Sequence, residues 1–191
     1  MLKQDETPRR SDATRAAILD AARHRFAADG FAKATIRAIA ADANIDPSMV
    51  MRYYGNKDGL FAAAVDVDLG LVNIGSVEPE RLGEALLRHA LTVWEQPPAS
   101  EILLTLLRSS ITDDRAIAKL QQIFAGQVMP AVLRIGDPED APRRAGLMAT
   151  QVLGVALTRY ILKLPPVVAM TPDELVASIG PTIQRYLTSR P

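Results

Sequence analysis

Two helix-length segments joined by a tight break, within Thr35 to Lys57 (TIRAIAADANIDPSMVMRYYGNK), constrain this chain more than any other feature. Thr35 is a good N-cap, and Ile36, Ile39, Ala40 and Ala43 follow it on one apolar stripe at helical spacing. Asn44 and Ile45 break the stripe. Asp46 then caps a second helix with Pro47 at its first position, where the missing backbone N–H does no harm. Gly55 stops that helix after one to two turns. So short a helix is not stable alone. The spacing therefore predicts a helix-turn-helix, a fin held by its neighbours with its first residues free to touch a DNA groove.

Upstream, Ser11 and Asp12 offer the start of a helix carrying Ile18, Ala22 and Phe26 at four-residue steps, and Gly30 closes it. Downstream, Asn56 or Lys57 opens a longer helix through LFAAAVDVDLGL, with no Pro- or Ser-rich linker near residue 60. The pattern predicts a three-helix head over 9–57, a body over 58–191, and a continuous helix shared by the two, through which strain in one is felt in the other.

Along Arg15 to Phe61 come a helix ending FAADGF, then TIRAIA, a turn, a short helix ending Arg52-Tyr53-Tyr54-Gly55, and NKDGLF. Each fragment is weak alone. In this order and spacing they are specific, and the segment resembles the DNA-binding head of the TetR (tetracycline-repressor-like) family of bacterial transcription regulators. The resemblance implies an all-α homodimer with a ligand-binding, dimerising helical body. It also implies a palindromic double-stranded operator and repression relieved by a small-molecule effector. Where many members carry Gly-Thr-Leu-Tyr in the recognition helix, this chain has Ser48-Met49-Val50-Met51, so the hydroxyl often set against a phosphate is absent at Met51.

Candidate DNA contacts follow from helix position. Thr35 can offer a hydroxyl to a phosphate while the helix N-terminus behind it supplies N–H groups; it serves as an N-cap in either case. Lys57 resembles the family's phosphate-contacting lysine, set against a plain surface charge. Tyr53 is the aromatic candidate for a phosphate, and Tyr54 the candidate for the core. Ser48, Met49 and Arg52 fall on the outer face of the recognition helix, where Arg52 fits a guanine or a phosphate. Arg37 joins the set, and Arg9 and Arg10 form an arm ahead of the first helix.

Formal charge argues for nothing by its sum, which is zero. Before Gly59, ten basic residues face eight acidic ones, a surplus of +2 that the remainder cancels. Helix spacing, not charge, carries the inference. The absence of Cys excludes a disulfide framework, thiolate catalysis and Cys-ligated zinc. The apolar run Ala145 to Leu164 is interrupted by Gln151, Arg159 and Lys163, and Met1 to Arg10 is polar, so neither a membrane span nor a signal peptide is expected. A cytoplasmic protein is the expectation.

The body reads as helices throughout. Residues 78–95 carry Leu82, Leu86, His89 and Val93 on one stripe, and 100–111 read SEILLTLLRSSI. Residues 113–135 start from Thr112 with kinks near Gly126 and Pro130. The stretch 140–163 is apolar nearly all round, which predicts burial on most sides. Thr171-Pro172-Asp173-Glu174 is a capping box launching a last helix with Leu175, Ile179, Ile183 and Tyr186 inward. Leu153, Gly154, Leu157, Ile179, Ile183 and Tyr186 are the candidate dimer interface, against the alternative that they complete the monomer core. Leu91, Trp94, Leu107, Arg108, Phe124, Met129, Met148, Gln151 and Tyr160 are candidate walls of a pocket for an apolar effector, chosen as bulky apolar surface with a few polar handles, against the alternative of plain core.

An enzyme is not indicated. His24 and His89 have no Ser, Asp or second His at a spacing that suggests a triad or a metal site, and no glycine-rich phosphate loop is present. No cofactor is called for. The competing class is a helical interaction module that uses its helix-turn-helix only for packing.

Overall fold

A computed structural model describes residues 10–71 and 77–188, which contain helices and connecting turns but no strand. The chain divides into two compact units at Asp66/Val67. This boundary lies beyond the expected head limit of 57, because the helix after Lys57 packs back onto the first helix.

The first unit holds α1 (Arg10–Lys33), α2 (Ile36–Asp42), α3 (Pro47–Tyr54) and α4 (Lys57–Ala64). Ile18, Ala22 and Phe26 recur along one face of α1 and are each 1% exposed or less. Gly30, at φ 72°, bends the end of α1 in a conformation that costs a residue without Cβ little. Beyond the bend Phe31 meets Phe26 at 5.8 Å and Phe61 of α4 at 5.2 Å, and Phe26 meets Phe61 edge-on at 5.1 Å between ring centroids. Such ring pairs add about 0.5–1.5 kcal/mol each beyond the area they bury. Arg23 Nε donates to the Ala64 carbonyl at 3.0 Å, a cation on the C-terminal end of α4. Arg25 grips Asp42 through two bonds of 2.8 and 2.6 Å, tying α1 to the end of α2.

The two helices of the central motif start on side-chain caps. Thr35 Oγ1 accepts the Ala38 N–H at 3.1 Å, and Asp46 Oδ1 accepts the Ser48 N–H at 2.7 Å with Pro47 in the first turn. The Ser48 side chain, and after it the Ser48 N–H, hold the Asp46 carboxyl below the usual carboxylate range. Gly55 ends α3 at φ 76°, its N–H on the Met51 carbonyl at 2.8 Å. Fully buried Val50 pins the eight-residue helix to the unit.

The shared helix expected through Leu71 does not form. Val65 closes α4 with its N–H on Phe61 O at 3.0 Å. Asp68 then accepts the Gly70 N–H at 2.9 Å in a turn where Gly70 sits at φ 64°. The sequence after Ala64 is VDVD, whose β-branched and short acidic side chains favour leaving the helix.

The second unit runs α5 (Leu82–Glu95), α6 (Ala99–Ser109), α7 (Asp114–Ile123), α8 (Met129–Leu133), α9 (Ala141–Ala156), α10 (Pro165–Ala169) and α11 (Pro172–Thr188). Single π-helical turns at Phe124–Val128 and Leu157–Ile161 follow α7 and α9. Helices α5 and α11 approach at two glycines. A Cβ on Gly83 would stand 2.2 Å from the Gly180 carbonyl oxygen, and one on Gly180 3.3 Å from Glu84. No side chain of its own caps α5. Gln184 of α11 does so instead, accepting the Gly83 N–H and donating to the Pro79 carbonyl, both at 2.7 Å. Around this crossing Leu86, Leu87, Leu91, Met148, Leu175, Val176, Ile183 and Leu187 form the core.

Several expectations change in detail. The cap of α7 is Asp113, whose carboxylate accepts the Arg115 N–H at 3.0 Å, not Thr112. The kink expected near Gly126 and Pro130 is the π-helical turn. The stretch 140–163 is not buried on most sides, since Leu153 and Leu157 are 40% and 38% exposed. Its buried face instead includes Arg144, which donates to the carbonyls of Ile135, Asp137 and Leu187 and so closes the end of α11. The Thr171–Glu174 capping box is present, with the Thr171 N–H on Glu174 Oε2 at 2.7 Å and the Glu174 N–H on Thr171 Oγ1 at 3.2 Å.

Substitution tests both the glycine crossing and the cap of α3. Gly83→Ala drives a Cβ into backbone and should lower stability by about 1–3 kcal/mol in urea unfolding, whereas Gly126→Ala, with open space around it, should be neutral or stabilise by up to about 1 kcal/mol. Asp46→Ala should lower the thermal midpoint, and Asp46→Asn, which keeps an acceptor, less so. Because the folded pKa is depressed, the charged cap contributes fully above the unfolded value of about 3.9 and loses that contribution as pH falls through the folded value. The gap between wild type and Asp46→Ala should therefore be wider at pH 7 than at pH 3.

Candidate nucleic-acid interface and body cavity

On α3 the helical period sets Ser48 and Arg52 one turn apart, opposite buried Val50, with Met51 and Met49 on either flank. Ser48 and Arg52 are exposed, Met51 is 45% exposed and Met49 is half-buried. This outward face combines a hydroxyl, a guanidinium and two flexible thioethers, a set able to meet base edges and thymine methyls. Tyr53 lies between two cations, with the Arg52 guanidinium 5.5 Å and the Arg15 guanidinium 5.0 Å from its ring centroid. Tyr54 is half-buried, as expected for a core-facing ring, with its hydroxyl 3.4 Å from the Arg15 carbonyl.

Thr35 is exposed, its oxygen engaged as acceptor and its proton left to donate. Arg37 is exposed in the first turn of α2. Lys57 Nζ donates to the Ala32 carbonyl at 3.2 Å and lies 4.4 Å from the Phe31 ring centroid, so its position is set by the head's own aromatic cluster. Arg9 lies outside the described residues, as does the side chain of Arg10. Sequence reasoning missed Arg15 and the outward place of Met51. Arg15 of α1 meets Tyr53 only through the tertiary fold, which no local pattern announces.

The second unit holds a cavity of about 150 Å³, partly open to solvent. Leu86, His89, Ala90, Val93 and Trp94 of α5 form one wall, and Met148, Ala149, Val152 and Leu153 of α9 another. Leu103, Leu120, Ile123, Phe124 and Val128 fill the sides, and Leu69 and Leu71 close over it as part of a strap. The strap is held by side chains. Gln127 accepts the Leu69 N–H and donates to the Val67 carbonyl, both at 2.7 Å, and His89 Nε2 stands 2.6 Å from the Leu69 carbonyl. Gln127 thus imitates one rung of a β ladder from within the π-helical turn.

Of the expected wall residues, Trp94, Phe124 and Met148 line this cavity. The others do not. Leu91 is buried in the α5–α11 core and Met129 packs against it. Arg108 is exposed near the end of α6, where water solvates its charge, so it is corrected from an inward polar handle to a surface residue. Leu107 and Gln151 are half-buried outside the lining. Tyr160 stacks on the far side of Trp94 at 6.2 Å with its hydroxyl donating to Glu95 at 2.8 Å. Burial, then that bond, pushes its pKa up. The missed wall residues are chiefly His89 and Val93, whose shared apolar stripe was the available signal, and the strap leucines, which gave none.

Among the candidate interface residues, Leu157 and Gly154 are exposed, Ile179 and Tyr186 are half-buried, and Leu153 both reaches solvent and lines the cavity. Ile183 is corrected. It is fully buried against the chain's own core and offers nothing to a second copy. Among the described residues no helix is long and apolar enough to cross a membrane, and no cluster of His, Asp and Glu could hold a metal ion.

Residues 18–64 match the family described as bacterial regulatory proteins, tetR family, and residues 80–187 match the tetracyclin repressor-like C-terminal domain. An HTH-type transcriptional repressor of Streptomyces coelicolor is 44% identical over 55 residues, a match spanning 29% of this chain and 29% of that relative's length. The crystal structure of a TetR-family regulator from Streptomyces coelicolor superposes with a TM-score of 0.68 at 28% identity, covering 96% of this chain and 99% of that one. NalD, the secondary repressor of the MexAB-OprM multidrug efflux pump in Pseudomonas aeruginosa, shares the fold with a TM-score of 0.67 at 19% identity over 92% of this chain and 97% of its own. With both head and body matched, and more than half of the residues within the C-terminal match alone, this chain belongs to the tetR family of bacterial regulatory proteins.

Proposed function

We propose that this chain is a cytoplasmic, homodimeric repressor that holds a palindromic double-stranded operator and releases it when a small apolar effector fills the body cavity. The observation that carries the DNA-binding half is the outward face of α3, where Ser48, Met51 and Arg52 stand clear opposite buried Val50 on a helix capped at both ends. Arg52 and Ser48, with Met49 beside them, read base edges. Thr35, Arg37, Tyr53 and Lys57 hold phosphates, with Arg9 ahead of α1 and Arg10 at its first position adding a basic pair.

Eight residues of helix meet only a few base pairs, so two heads are needed for a site of useful length. Leu157 and Gly154 on α9, exposed in the single chain, are where a second copy would cover apolar surface, with Ile179 and Tyr186 of α11 beside them. The effector half rests on the cavity. Its strap, Val67 to Leu71, follows α4 in the chain after two residues, so a guest pressing on Leu69 and Leu71 acts on the segment that leads out of the head. The guest shifts the DNA-binding state only through its differential affinity for two arrangements. A full switch from 1:99 to 99:1 requires about 5.5 kcal/mol.

Gel shifts with DNA from upstream of the gene test the proposal. Lys57→Ala should weaken binding to all sequences alike and flatten its salt dependence, whereas Arg52→Ala should lose about 1–3 kcal/mol of preference at one base pair per half-site. Binding by neither wild type nor variants at low salt would favour a packing module over a regulator. Leu157→Glu should convert the sedimenting dimer to monomer and abolish operator binding. A dimer that survives this change would move the interface elsewhere.

A further inference from the structure

The wall chemistry of the body cavity restricts what can occupy it. Among the described residues no carboxylate, ammonium or guanidinium lines it, and apart from His89 and Trp94 the lining side chains are aliphatic, Met or Phe. An ion placed there would be stripped of water among apolar groups with no counter-charge, a cost that dispersion against the walls does not offset. About 150 Å³ lined by Leu, Ile and Phe accommodates a benzene-sized guest.

His89 sets the direction of the polar contact. Its Nε2 stands 2.6 Å from the Leu69 carbonyl, and a carbonyl oxygen only accepts, so the ring proton is on Nε2. In the neutral ring Nδ1 then keeps its lone pair, and among the described residues it has no partner. Trp94 is the other lining side chain with a polar atom, so among the described residues the wall offers an acceptor at His89 and no charged group.

We propose that the cavity takes a compact neutral aromatic carrying one hydroxyl or N–H, which donates to His89 Nδ1, and that His89 is the residue selecting donors over acceptors. This deepens the effector reading above and rests on it only for the consequence at the operator, not for the binding itself.

The test titrates the full chain at pH 7 with phenol, anisole, toluene and benzoate, following Trp94 fluorescence and calorimetry. Phenol should bind about 2- to 10-fold tighter than anisole or toluene, the range of one neutral hydrogen bond, and benzoate should not bind. In His89→Leu the phenol advantage over anisole should vanish while toluene binds as in the wild type. The inference is overturned by benzoate binding as tightly as phenol, by anisole equalling phenol on the wild type, by no binding of any of the four, or by a phenol advantage that persists in His89→Leu. Should His89→Leu fail to fold, the wild-type ranking alone decides. Gel shifts in the same series separate the two readings: phenol bound without operator release removes effector control and leaves the ligand class standing, and release by benzoate alone does the reverse.

Discussion

An eight-residue helix does not hold itself together in water, and everything the head does depends on overcoming that. Nucleating a helix orders several residues for its first hydrogen bond, and α3 ends almost as soon as it has begun. Asp46 and Gly55 satisfy its two ends, Val50 anchors its inner side, and α2 and α4, themselves packed on the α1 frame, hold it from behind. That frame is itself cross-braced. Three phenylalanines join α1 to α4, Arg23 closes α4, and Arg25 clasps α2. The outward face of α3 is therefore presented by a rigid support, which is what reading a groove with few residues requires.

In the second unit the corresponding constraint is the close crossing of α5 and α11. Two glycines let the backbones approach, and Gln184 supplies the missing cap of α5 from across the crossing. With one side of α5 committed to this contact, its other side, carrying His89, Val93 and Trp94, borders the cavity. The same helix thus carries core on one face and cavity wall on the other. The strap over the cavity is bound by side-chain hydrogen bonds from Gln127 and His89. Such a segment opens more readily than one held by a full ladder of backbone bonds.

The cations of the head show why net charge is a weak guide to partners. Arg25 is spent on Asp42 and Asp29, and Arg23 on the end of α4, so neither is free to meet a phosphate. Arg37 and Arg52 remain exposed, and Arg15 and Arg52 flank Tyr53. A surplus of two positive charges in the sequence becomes a localised set only when packing decides which guanidinium groups are taken internally.

What the sequence determined by itself is what local physics governs. Caps, proline at a first turn, glycine at a helix end and apolar recurrence at four residues act within a turn or two. The helix-turn-helix, the Thr171–Glu174 box and the inward faces of α1 and α11 follow from them. Leaving Ala64 was also local, since VDVD opposes a helix, but the long apolar run around it suggested continuity. The tertiary structure alone decided the rest. Whether Arg108 faced a cavity or water, whether Ile183 faced a partner or the core, and that His89 would stand beside the Leu69 carbonyl depend on which helices meet. Periodicity says that a helix has an apolar face; it does not say what that face is pressed against.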